Sequence, residues 1–97
     1  MNKVEQARAL LKAKKLQKEL KNEIITTEQG DGAVKVEMTA EQKLKKVHID
    51  ASSVDLDDIG QLERWIEEAI KDAIQKSQVI AAEKMKPMMG LISQLGL

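Results

Sequence analysis

The sequence predicts an α+β fold in the order helix, three strands, helix, and three observations carry that expectation. From Val4 to about Lys21 there is neither Gly nor Pro, and nearly every residue is a good helix former. Around Gly30-Asp31-Gly32 lie two β-branched runs, the second alternating strictly between apolar and polar residues. Farther on, Ile59, Leu62, Ile66, Ala69, Ile70, Ala73 and Ile80 share one stripe at helical spacing.

The first helix is a rod of roughly 27 to 30 Å at 1.5 Å per residue. Its apolar positions drift: Val4, Ala7 and Leu11 form one stripe, and Ala13, Leu16, Leu20 and Ile24 form another rotated from it. The two ends of this helix are therefore expected to pack on different things. Ile24 to Gln29 reads as a strand, and Gly30-Asp31-Gly32 supplies a tight turn where positive φ costs little. The next strand, "AVKVEMT", sets Val34, Val36 and Met38 on one face and Lys35, Glu37 and Thr39 on the other. A short link leads to "KLKKVHID", where Val47 and Ile49 are in phase and Leu44 is not, which predicts a bulge or a late strand start.

"ASSVDLDD" supplies capping Ser and Asp residues ahead of a second long helix. Gly60 is expected to mark a break near its start, and Pro87 to end it near Met85. The remainder, 87–97, reads as an apolar tail that is either docked or mobile, and 1–97 as a single domain.

Composition narrows the function classes. With 97 residues the core is thin, and a chain of this size often needs a partner subunit. One Trp without Phe or Tyr leaves the interior to aliphatic side chains and gives no set of aromatics for stacking single-stranded bases. The absence of Cys excludes disulfides, thiolate metal sites and cysteine nucleophiles. No apolar run approaches the ~20 residues a membrane span needs, and no signal peptide is evident, so the expectation is a soluble cytoplasmic protein.

Net charge is zero, yet residues 1–48 hold eleven Lys/Arg against seven Asp/Glu, and 49–97 hold five against nine. An anion feels the local field rather than the sum.

No catalytic set emerges. His48 stands alone and reads as a solvated strand residue that pairs with Glu37 across the sheet. Asp50, Asp55, Asp57 and Asp58 read as helix caps rather than a cation site. "GDG" lacks the spacing of a phosphate loop, and no cofactor is expected. On the first helix, by contrast, Arg8, Lys12 and Lys15 stand at i, i+4 and i+7, and Lys14, Lys18 and Lys21 repeat that spacing on another face. Such ridges can span successive phosphates of a duplex; a solvated helix face is the plain alternative. The wheel favours the Arg8 ridge as the one facing DNA, with Lys12 its least secure member. Lys84 and Lys86 add a weaker signal near the end of the second helix, where the helix dipole also favours cations. Trp65 flanks the apolar stripe and reads as core or a dimer contact.

This order of elements, with "LQKEL", "GDGAVKVEM", "KVHID" and "LERWIEEAIKDAIQKSQVIAAEKM" in sequence, resembles the YbaB/EbfC family of bacterial nucleoid-associated proteins over nearly the whole chain. The resemblance implies an intertwined homodimer with helical arms projecting like tweezers. It also implies binding of double-stranded DNA with little or broad sequence preference, and a role in nucleoid organisation or gene regulation. The DNA-binding set expected from the helical spacing is Arg8, Lys12, Lys14, Lys15, Lys18, Lys21, Lys84 and Lys86, with no metal and no small-molecule substrate. Two departures stand out: Thr39-Ala40-Glu41 replaces the family's frequent Asn-Gly, so the second hairpin must be longer or differently shaped, and Ala51 stands where Pro often follows Ile-Asp. The alternative is a protein-interaction module that uses its helices and apolar tail without touching DNA.

Overall fold

The computed structural model describes residues 2–94. Helix α1 spans Lys3–Asn22, strands β1, β2 and β3 span Ile24–Gln29, Val34–Thr39 and Leu44–Ile49, and helix α2 spans Ile59–Gln94. The expected α-β-β-β-α order is what the chain adopts. Helix α1 begins where Asn2 Oδ1 accepts the Glu5 N–H at 2.8 Å, which satisfies a donor the helix itself cannot. It ends as Glu23 turns to extended backbone.

The strands form an antiparallel sheet in the order β1-β2-β3. At the first hairpin Asp31 (φ 56°) and Gly32 (φ 90°) both take positive φ, and the Ala33 N–H donates to the Gly30 oxygen at 3.2 Å. That is the sign pattern of a type I′ turn, whose twist suits a hairpin. The second hairpin closes on the Thr39 N–H to Lys43 oxygen bond, 2.8 Å, and turns through Gln42 at φ 68°. Its three-residue loop is the longer shape that the lack of Asn-Gly foretells. Between β2 and β3 the register passes from Glu37 opposite Lys46 to Met38 opposite Leu44, so Lys45 is bulged out and Leu44 returns to the apolar face.

Val34, Val36 and Met38 are buried beneath α2, together with Ile25 of β1. Two alanines one turn apart, Ala69 and Ala73, are fully buried and let the helix axis lie close to the sheet. Thr27 completes the contact, its hydroxyl donating to the Ala69 oxygen at 2.7 Å. Helix α2 packs mainly on β1 and β2, with Val47 of β3 half-buried against the same core, and Leu44 and Ile49 stay 50% and 39% exposed beside buried β2 partners.

Several expectations are corrected. Pro87 does not end α2, which continues through it to Gln94. Proline removes one N–H, that which would reach the Glu83 oxygen, and an exposed carbonyl can take water instead. Of the expected tail, residues 95–97 lie outside the described residues. Gly60 lies within the first turn of α2 and does not break it. The break falls earlier, at a 3-10 turn over Ala51–Ser53 capped by Asp50, and Asp58 Oδ1 then caps α2 by accepting the Gln61 N–H at 3.2 Å. His48 faces Lys35 rather than Glu37, whose partner on β3 is Lys46, because the bulge at Lys45 lies between the hairpin turn and both pairs and sets their register.

Candidate nucleic-acid interface

Helix α1 meets the body through one face only. Ala9 is buried, and Ala13, Leu16 and Leu20 are half-buried, at the i, i+4, i+7 and i+11 positions of that face. Val4 and Leu11 are 60% and 66% exposed, so the drift in the apolar pattern separates a packed stripe from an open one. The molecule measures 65 × 19 × 15 Å, and its radius of gyration of 18.6 Å far exceeds the about 12–13 Å of a compact chain this long. The first part of α1 and the last part of α2 extend beyond the sheet as a two-helix arm.

Arg8, Lys12, Lys14, Lys15, Lys18 and Lys21 are all exposed along α1, and among the described residues none of the six is in an ion pair. Helix α1 carries seven cations against Glu5 and Glu19. The ridges look in different directions. Lys12 and Lys15 border the seam between the helices, in a recess shared with Leu16, Glu19, Lys84, Pro87 and Met88. Lys14, Lys18 and Lys21 line a separate groove with Gln17, Asn22 and Glu41, the last from the β2–β3 hairpin. The sequence carries no local sign of that groove, since Glu41 comes to one wall of it only through the fold.

Lys84 and Lys86 are placed differently from the other six. The Lys84 ammonium is 3.4 Å from Glu23 Oε2 and 3.9 Å from Glu19 Oε2, with its side chain 31% exposed. It clasps α2 to the end of α1. Lys86 Nζ donates to Glu83 Oε1 at 3.1 Å on the same helix. Both cations already face carboxylates, whereas the α1 six face solvent.

Trp65 is not on this surface. It half-buries against the first hairpin, where a Cβ on Gly30 would come within 2.7 Å of the indole. Among the described residues no group of three or more His, Asp or Glu is placed to hold a metal ion. No helix among them is long and apolar enough to cross a membrane.

A small two-layer α/β body with a cationic helical arm defines a class of protein suited to holding an extended polyanion by its charge. The family model described as the YbaB/EbfC DNA-binding family matches residues 1–92, and the chain belongs to that family. A nucleoid-associated protein of Dictyoglomus turgidum is 38% identical over 74 residues, covering 76% of this chain and 71% of the relative. One from Chloroflexus aurantiacus is 36% identical over 76 residues, covering 78% and 76%. The crystal structure of an uncharacterized protein from Helicobacter pylori superposes with a TM-score of 0.77 at 20% identity, covering 87% of this chain and 88% of that one. That last likeness concerns the fold alone.

Proposed function

We propose that the protein binds double-stranded DNA as a homodimer, with little or broad sequence preference, and contributes to nucleoid organisation in the cytoplasm and to gene regulation. The observation that carries this reading is the row of exposed cations from Arg8 to Lys21 along α1, none of them in an ion pair among the described residues. Lysine and arginine ridges contact phosphates and carry no base code of their own, so recognition rests on backbone charge and shape. Family membership and the names of the relatives support the same reading.

The homodimer is supported by the half-covered sheet. Leu44 and Ile49 on β3, with half-buried Val47 between them, form an exposed apolar lane beside the core. A second copy that lays its own α2 flank along the lane covers it, and closed pairing by a two-fold axis is the commonest solution. Two copies present two arms, which doubles the cationic surface.

The test is a mobility shift with several unrelated duplexes at low salt. Each duplex should shift at similar protein concentrations, and unlabelled DNA of any sequence should compete. A protein that shifts none of them overturns the proposal and leaves an interaction module, which exposed Val4, Leu10 and Leu11 would serve.

A further inference from the structure

We infer that the face of the arm that holds phosphate is the Lys14-Lys18-Lys21 side, and that Glu41 of the β2–β3 hairpin limits its affinity for the polyanion. This rests on the DNA-binding reading above and reverses the preference the helical wheel gives.

Three observations point to that side. The first is the placement of acids. Glu19 stands seven residues after Lys12 and four after Lys15, and Glu5 stands three before Arg8, so carboxylates interrupt that ridge. Within α1 no acid stands three, four or seven residues from Lys14, Lys18 or Lys21. The second is the Lys84 clasp, which keeps Glu19 and Glu23 on the seam side.

The third is a built groove of about 560 Å³, whose walls come from two elements. Lys14, Lys18 and Lys21 supply ammonium groups, and Gln17 and Asn22 supply carboxamide donors suited to phosphate oxygens. The hairpin wall is fixed to the helix. The Ala40 N–H donates to the Glu23 oxygen at 3.0 Å, and Ala40 is only 2% exposed.

Glu41 follows Ala40 directly, and its side chain is 30% exposed. Its carboxylate acts twice against an incoming phosphate. It puts a negative charge on the groove wall, and it stands 3.6 Å from Lys43 Nζ, so it also compensates the hairpin cation beside it. The carboxyl end of α1 adds a partial negative charge at the same place. The groove therefore binds an anion through its three lysines and against Glu41.

The experiment is a fluorescence anisotropy titration of a labelled mixed-sequence duplex over a salt series. It compares the full chain with Glu41→Gln, with Lys14, Lys18 and Lys21 replaced together by Ala, and with Arg8, Lys12 and Lys15 replaced together by Ala. Glu41→Gln should tighten binding about three- to tenfold at low salt and steepen the salt slope by about one as Lys43 is freed. The Lys14 triple should lose more affinity than the Arg8 triple. A urea midpoint unchanged in Glu41→Gln keeps the effect off the fold. Unchanged or weaker binding by Glu41→Gln overturns the role of Glu41, and a larger loss in the Arg8 triple overturns the choice of face. If the full chain binds no duplex, the DNA reading itself fails, an outcome distinct from both.

Discussion

At the scale of single residues, Gly30 and Trp65 form a pair that neither turn chemistry nor periodicity reveals. The turn alone explains why glycine suits φ 64°, but the indole also occupies the space where a side chain would stand. Gly30→Ala should therefore combine backbone strain with overpacking and cost about 2 kcal/mol, read from urea unfolding followed by Trp65 fluorescence. Asp50 makes a pH-dependent contribution. The Ser52 side chain first, then the Ser53 side chain and the Ser52 N–H, hold its carboxyl below the ordinary 3.8 by hydrogen bonding to the charged form. A carboxyl lowered by folding stabilises the protein above its unfolded value and loses that effect as pH falls through the folded one. Asp50→Ala should thus melt earlier than the parent at pH 7, and the gap should close as the pH drops below 3.8. Capping by Asp50 and Asp58 was legible in the sequence because a cap bond is local. The partners of His48 and Lys84 were not, since a bulge and a helix pairing decide them.

At the scale of elements, strand limits follow closely from alternation and turn residues, and the Leu44 phase slip foretells the bulge at Lys45. The end of α2 is different. Proline is a strong stop signal in sequence, but its penalty is finite, and a long helix with strong formers on both sides absorbs it. Pro87 thus lies within α2 as a weak point. Pro87→Ala should restore the bond to the Glu83 oxygen and stabilise the last turns locally by up to about 3 kcal/mol. Hydrogen exchange should then slow for residues 84–92 and stay unchanged for residues 62–80, where α2 is anchored on the sheet.

For the whole molecule, the drift of apolar positions along α1 predicts different neighbours for its two ends, whereas the chain packs one stripe from Ala9 to Leu20 and leaves Val4 and Leu11 open. Nor does the sequence foretell that α2 would leave Leu44 and Ile49 of β3 exposed, since that depends on where the helix crosses the sheet. If a second copy covers the lane, Leu44→Glu should place a charge in the interface while remaining half-exposed in the single chain. Sedimentation equilibrium should show the parent at twice its 10.8 kDa mass and the variant shifted to the monomer with its helical circular dichroism kept. A parent that sediments as a monomer would contradict the dimer.

The central claim is that a cationic arm holds duplex DNA through its phosphates, and ionic strength addresses it most directly. With about five phosphates neutralised, the logarithm of the binding constant should fall linearly against the logarithm of salt concentration, with a slope of about −4 to −5 that is the same for unrelated duplexes. Binding that is absent at low salt, or whose slope stays near zero, would contradict the account.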